Sequence, residues 1–149
     1  MILFFFFINC YSQEKQKIPN DYIYGSWKFV KYWDWKAVSY DEKQLDSIKS
    51  SVLHIGKNKI YFEGLTFIDT CFYTEIQFKS FFDLQYTEPN VFTDRALAIE
   101  YSKDELSTIK RIETDCKSGT CYLGILYLKQ DTLITNYCGN FTFLWTKIP

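Results

Sequence analysis

The stretch CYLGILYLKQDTLITNYCGNFTFLWTK, from Cys121 to Lys147, decides the fold of this chain. It contains two turn signals, a weak one at Gln130-Asp131 and a strong one at Gly139-Asn140. Glycine at the first central position suits a type II′ hairpin, so the second signal is the more specific. The three apolar segments around these turns are therefore predicted to form an antiparallel meander.

The register of this meander follows if each turn has two residues. Tyr127 then faces Ile134, which in turn faces Trp145. One face carries the larger apolar side chains, namely Leu123, Ile125, Tyr127, Ile134, Phe141, Phe143 and Trp145. The other carries Thr135, Thr142 and Thr146. We therefore expect the aromatic face to point into the core, so that replacing Trp145 destabilises the protein far more than replacing Thr142.

Length and composition place the chain among single-domain, strand-rich proteins. Its 149 residues suit one domain. The aromatic share of 20% fits half-buried pleated surfaces better than helices. The formal net charge is −1 with both signs interspersed, which excludes a strong attraction for phosphates. No nucleic-acid partner is predicted.

Turn signals recur at short intervals along the chain, which favours a sandwich or a barrel. Gly56-Lys57-Asn58 separates two apolar runs, and residues 72–79 show the clearest two-residue period. A further hairpin is predicted from Leu97–Tyr101 and Ser107–Cys116. With the closing meander this predicts a mainly β, antiparallel up-and-down barrel of about eight to nine strands.

One short helix, residues 39–50, is predicted after the first strand. Ser39 and Glu42 have the spacing of a capping box. Leu45, Ile48 and Val52 follow at helical spacing, which gives the helix one apolar face.

The N-terminal residues, MILFFFFIN, form an apolar run that is too short to cross a bilayer. We predict an export signal over residues 1–12, a tether over 13–21 and a single β-barrel domain over 22–149. Residues 7–10 resemble a bacterial lipobox that would lipidate Cys10, the one route to membrane attachment. The alternative is cleavage before Gln13. Either way the protein is expected outside the cytoplasm, as a periplasmic, outer-membrane or secreted protein.

The cysteines agree with export, because four remain once Cys10 is lipidated or removed. Cys116 and Cys121 flank a short loop, so the favoured pairing is Cys116 with Cys121 and Cys71 with Cys138. Four free buried thiols are the alternative. A zinc site is disfavoured, because the cysteine spacing lacks a C-x-x-C pair and the only histidine is distant in sequence.

A resemblance to a known family lies near the start of the predicted first strand. Gly25-Ser26-Trp27 resembles the G-x-W motif that opens the first strand of lipocalins. The resemblance implies a calycin-type small barrel, with Trp27 packed at the closed end near a basic residue that follows the last strand. Lys147 is the candidate for that basic residue, since the arginine usual in the family is absent.

No recognisable catalytic motif is present. His54 lies on an apolar run, Val52–Ile55, and is interpreted as structural rather than as a catalytic base. We expect no enzymatic activity, no cofactor and no metal.

A binding function is the remaining expectation. Trp33, Trp35 and Tyr40 form an aromatic cluster, and such residues anchor binding sites. Two hypotheses follow: a plugged barrel that binds a protein on its outer surface, and a carrier of a small hydrophobic ligand, with Asn136 in the pocket lining. The plugged barrel is favoured, because Trp27, Phe143 and Trp145 would fill a small interior. The protein is expected to be monomeric.

Overall fold

The computed structural model of the protein describes residues 19–34, 41–81, 97, 101–116, 125–137 and 141–149. A 3₁₀ turn at Asn20–Ile23 precedes the sheet, and the described ranges include helices α1 (Glu42–Ser50) and α2 (Lys103–Leu106). The strands are β1 (Gly25–Asp34), β2 (Val52–Ile55), β3 (Lys59–Phe62), β4 (Cys71–Phe72), β5 (Ile76–Ser80), β6 (Lys110–Thr114), β7 (Ile125–Lys129), β8 (Thr132–Tyr137) and β9 (Phe141–Lys147).

These strands form one antiparallel sheet in the order β4-β3-β2-β1-β9-β8-β7-β6-β5. Sequence neighbours pair throughout except β4 with β5, and the first strand pairs with the last. The prediction of a mainly β, up-and-down fold with eight to nine strands is confirmed. The sheet curls into a half-barrel, and within the described residues β4 and β5 are its two edges.

β1 is the longest strand and pairs on both sides, with β2 and with β9. Its register against β9 shifts between Phe29 and Lys31. Such a bulge bends a strand and increases its twist, which helps the sheet to curl. Val30 lies at the shift, and 48% of its surface is exposed.

The concave side of the sheet is filled with large aromatic side chains. Trp27, Phe143 and Trp145 are fully buried within one apolar cluster. Both indole N–H groups are satisfied: Nε1 of Trp27 donates to the carbonyl of Ile23 at 3.0 Å, and Nε1 of Trp145 donates to Oγ1 of Thr135 at 2.9 Å. The prediction that these three rings point inward is confirmed.

The first hairpin of the closing meander has the predicted register, and the second does not. Tyr127 pairs with Ile134 as expected. Phe141 pairs with Tyr137, so the connection spans residues 138–140 rather than two residues. Ile134 therefore faces Leu144, and Leu133 faces Trp145.

This one-residue difference changes the predicted faces, because side chains alternate along a strand. Thr135 lies inside with Phe143 and is fully buried. Tyr127 and Ile134 lie on the convex side, in a separate cluster with Leu97, Leu106 and Ile109. Thr142 is on the convex side too, but it is only 1% exposed, so it does not lie on a solvent-facing surface as the predicted faces implied.

The predicted hairpin over residues 97–116 is wrong in its first half. The amide of Tyr101 donates to the carbonyl of Leu97 at 2.9 Å, a helical i to i−4 hydrogen bond, and α2 follows. Leu97 is 1% exposed because it packs against Tyr127 and Ile134 on the convex side of the sheet. A residue in an edge strand of the sheet would not cover these two side chains.

Both helices have caps that match their sequences. α1 begins at Glu42, and the carboxylate of Asp41 accepts from the amide of Lys43, so the capping box predicted at Ser39 and Glu42 is wrong. A capping box is present in α2, between Ser102 and Glu105. Within the described residues, no helix is both long and apolar enough to span a bilayer.

Trp27 lies beside Lys147, as the G-x-W resemblance leads us to expect, although Lys147 is the last residue of β9 rather than a residue after it. Lys147 pairs with Trp27 in the β1–β9 ladder. Its ammonium group lies 5.6 Å from the ring centroid of Trp27 and 3.9 Å from that of Tyr22, and it donates to the carbonyl of Tyr22. Burial lowers the pKa of Lys147. The cation thus ties the 3₁₀ turn to the last strand.

Replacing Trp145 by Ala is expected to lower the free energy of unfolding by about 3 to 5 kcal/mol, since it leaves a large cavity and removes the hydrogen bond to Thr135. Urea denaturation followed by circular dichroism measures this. Val30→Ala is the control, because at 48% exposure it should change stability by no more than about 0.5 kcal/mol. Equal losses in the two variants would contradict the assignment of Trp145 to the core.

Candidate functional site

Regular strand structure is interrupted at the corner between the two edge strands, residues 73–75. Sequence alternation predicts one strand over residues 72–79, yet β4 ends at Phe72 and β5 begins at Ile76. Tyr73 is 4% exposed, whereas Phe72 beside it is 68% exposed. Ile76 packs on the core, so the alternation changes phase within the corner. We call residues 72–75 together with Asp115 the corner site.

Tyr73 anchors the corner to the β2–β3 turn. Its amide donates to the carbonyl of Asn58 at 3.0 Å, and its hydroxyl donates to the carbonyl of Gly56. Burial, followed by the nearby phenol of Tyr24, raises the pKa of Tyr73 to about 12. The phenol therefore remains a donor throughout the physiological pH range.

Asp115 holds the corner from the other side. Oδ1 accepts from the amides of Thr74 and Glu75 at 2.8 and 3.0 Å, and Oδ2 accepts from the hydroxyl of Thr74 at 2.6 Å. The amide of Glu75, then the hydroxyl and the amide of Thr74, lower the pKa of Asp115 to about 2. A carboxylate that accepts several such bonds strongly favours its charged form.

A disulfide joins the two sides of the corner. Cys71 of β4 bonds to Cys116, which follows β6, with a Cα–Cα distance of 5.6 Å. The predicted pairing of Cys116 with Cys121 and of Cys71 with Cys138 is therefore wrong. The reason is three-dimensional: curling of the sheet brings Cys71 and Cys116 together across 45 residues of sequence. Cys121 and Cys138 lie outside the described residues.

An open cleft of about 420 Å³ lies at the corner site, lined by Asn58, Phe72, Tyr73, Thr74 and Asp115. The ring of Phe72 gives it an apolar wall, while Asp115 gives it a fixed negative charge. The hydroxyls of Tyr73 and Thr74 both donate to protein acceptors. The cleft can therefore hold a partner group that places an apolar part against Phe72 and donates hydrogen bonds to Asp115.

The residues predicted to bind a ligand or partner are elsewhere. Trp33 is half-buried near the end of β1, with the ammonium group of Lys31 4.4 Å from its ring centroid. Asn136 is described only through its backbone, which pairs with Thr142. Trp35, Tyr40 and Cys10 lie outside the described residues. Sequence reasoning missed the corner site, since the only signal was an unbroken alternation.

The sequence suggested that His54 is isolated, but in the structure it has two side-chain partners. Its Nδ1 lies 2.9 Å from Oγ of Ser26 and its Nε2 lies 3.1 Å from Oε2 of Glu63. Ser26 lies on β1 and Glu63 directly follows β3, so no spacing in the sequence could reveal these contacts. Within the described ranges, His, Cys, Asp and Glu side chains form no group of three or more that could hold a metal ion.

Comparison of the chain with models of known protein families, with characterised proteins and with solved structures gives no significant match.

Peptide mapping without reduction is expected to link the peptides carrying Cys71 and Cys116. The double variant Cys71→Ala with Cys116→Ala should lose about 4 kcal/mol of unfolding free energy, because the bridge closes a long loop in the unfolded chain. Cys121→Ala is the control and should leave the bridge intact. A Cys116–Cys121 linkage in the wild type would refute this assignment.

Asp115→Asn is expected to lower the melting temperature at pH 7. The native pKa of Asp115, about 2, lies below the usual value of about 3.9 for an unfolded chain, so its contribution is complete above that value and is lost on acidification toward pH 2. The difference between wild type and variant should therefore shrink from about pH 4 to about pH 2. Thermal melts across this range measure it. A difference that stayed constant would show that the charge of Asp115 contributes nothing.

Proposed function

We propose that this protein acts by binding another protein at the corner site, outside the barrel and outside the cytoplasm. The observation that carries the proposal is the contrast between a filled interior and a large aromatic side chain held in solvent. Trp27, Phe143 and Trp145 have no exposed surface, whereas Phe72 is 68% exposed.

The filled interior argues against a carrier of small hydrophobic ligands. Such a carrier needs a pocket of about 300 Å³ or more, lined by apolar groups. Ile48 of α1 belongs to the same buried cluster as the interior tryptophans, so the helix packs on side chains. The cleft at the corner site is not lined by residues of α1.

The position of Phe72 favours recognition of a partner. A partner can contact an exposed aromatic side chain without a prior rearrangement of the protein. A few aromatic residues commonly contribute most of the binding energy at protein interfaces. Phe72 lies between the disulfide at Cys71 and the anchored Tyr73, so its backbone is held in place before binding. A preorganised anchor loses less conformational entropy when a partner binds. We infer a partner that inserts an apolar side chain beside Phe72 and directs N–H groups toward Asp115.

Binding without turnover fits the groups that line the cleft. The hydroxyl of Thr74 donates to Asp115, whose low pKa makes it a poor base. The hydroxyl of Tyr73 donates to a backbone carbonyl and resists ionisation. Neither pair provides an activated nucleophile at this site.

We propose further that the protein is a lipocalin-like barrel exported by a bacterium, as a lipoprotein attached through Cys10 or as a secreted form, and that it is monomeric. The Gly25–Trp27 motif, the cation of Lys147 beside Trp27, and the pairing of first and last strands support the classification. The disulfide supports an oxidising compartment, since such bonds persist outside the cytoplasm.

The proposal is tested by placing a photo-crosslinking phenylalanine analogue at position 72 and, as a control, at position 30 in cells that naturally make the protein. Position 30 is also exposed but lies on β1. We expect a protein adduct from position 72 that is absent from position 30. With the adduct identified and purified, Phe72→Asp should weaken its binding by about 30-fold or more, as for an interface hot spot, and Val30→Asp should not.

Native mass spectrometry of the purified protein provides the opposing outcome. A lipid or other small apolar molecule that stays bound to the wild type and to Phe72→Asp alike would overturn the proposal and favour the carrier.

A further inference from the structure

Ser26, His54 and Glu63 form a chain of hydrogen bonds on the convex side of the sheet, separate from the corner site. Ser26 and His54 are paired residues of β1 and β2, and Glu63 directly follows β3. Their contacts are 2.9 Å from Oγ of Ser26 to Nδ1 of His54 and 3.1 Å from Nε2 of His54 to Oε2 of Glu63. All three side chains are at least partly exposed.

The surroundings hold the imidazole in this position. Tyr61, the partner of His54 on β3, stacks on it with 4.8 Å between ring centroids and an angle of 21°. The amide of Glu63 donates to the carbonyl of Val52 at 2.9 Å, which fixes the backbone beneath the carboxylate. The ring therefore has a defined orientation between its two partners.

The chemistry follows from the two nitrogen atoms of the ring. A carboxylate only accepts hydrogen bonds, so Nε2 of His54 carries the proton that is shared with Glu63. In the neutral ring Nδ1 is then an acceptor for the hydroxyl of Ser26. A hydroxyl, a base and a group that orients the base, in this order, constitute an activated nucleophile.

We propose that Ser26 is a nucleophilic serine that takes an acyl group from activated esters, with His54 as its general base and Glu63 as a positioning residue. Oγ of Ser26 bonds to the acyl carbon while its proton passes to Nδ1 of His54. The bond from that carbon to the leaving oxygen breaks, and the leaving group takes the proton from His54. Water then hydrolyses the acyl-serine by the same route and restores the hydroxyl.

The sheet restricts the class of substrate. β1 pairs on both sides, and the carbonyl of Ser26 accepts from the amide of Ile148 at 2.8 Å. Strand amides committed to a ladder cannot point at an oxyanion, and loss of one such donor costs about 100-fold or more in rate. Only esters with a good leaving group, such as aryl esters, are therefore substrates. Amides are excluded, and the acyl-serine is long-lived.

The test uses p-nitrophenyl acetate with the full chain. We expect one acetyl group on the peptide carrying Ser26, detected by mass spectrometry together with released p-nitrophenol. His54→Gln should slow this acetylation on the order of 100-fold, the usual loss for a general base. Glu63→Gln should slow it less, and Glu63→Asp, which keeps the carboxylate, should retain more of the rate than Glu63→Gln.

Ser47→Ala is the matched control, because Ser47 is a serine whose hydroxyl donates to the carbonyl of Lys43 and has no basic partner among the contacts described for it. It should not change the acetylation of Ser26, and Phe72→Asp should not either, so this inference fails or holds independently of the corner site. Near-ultraviolet circular dichroism confirms folding of each variant. Acetylation confined to lysines, no acetylation, or a Ser26 rate unchanged in His54→Gln would each overturn the proposal.

Discussion

Pairing of β1 with β9 is the constraint on which the rest of the structure depends. All other neighbouring strands in the sheet are also consecutive in sequence, and their pairing follows the order of the chain. The β1–β9 ladder alone joins the two hairpin series into one sheet, and it brings Phe29 and Trp145 together across most of the chain. Lys147 reinforces it by bridging Trp27 and Tyr22. Three of the fully buried aromatic residues, Trp27, Phe143 and Trp145, lie along this ladder, and their burial offsets the entropy cost of closing so long a loop.

Joining the series at β1 and β9 leaves the two edges of the sheet at β4 and β5. Exposed edges invite pairing with other chains, so proteins shorten or cover them. Here β4 has only the two residues Cys71 and Phe72, and the disulfide and Asp115 bind the corner to the end of β6. These restraints turn Tyr73 inward, and the neighbouring Phe72 is left in solvent as a consequence of strand alternation.

Sequence alone predicted the features that depend on local pattern and missed those that depend on closure of the sheet. Alternation and turn residues predict that the protein is mainly β and that Tyr127 pairs with Ile134. They also predict that the rings of Trp27 and Trp145 point inward. The second hairpin was shifted because a two-residue turn was assumed where the connection spans 138–140. The disulfide and the partners of His54 join residues that meet only across strands, so no spacing along the chain identifies them.

The two proposed sites share a structural cause. The convex side of β7, β8 and β9 is covered by the segment around α2, where Leu97, Leu106 and Ile109 bury Tyr127 and Ile134. On the convex side of β1 to β4, in contrast, outward residues such as Lys28, Tyr61 and Phe72 retain contact with solvent. Polar side chains buried under a covering segment must be satisfied internally and lose access to ligands. Both proposed sites therefore lie on the uncovered half of the sheet, where Ser26 and His54 pair across strands and Phe72 lies on the edge strand.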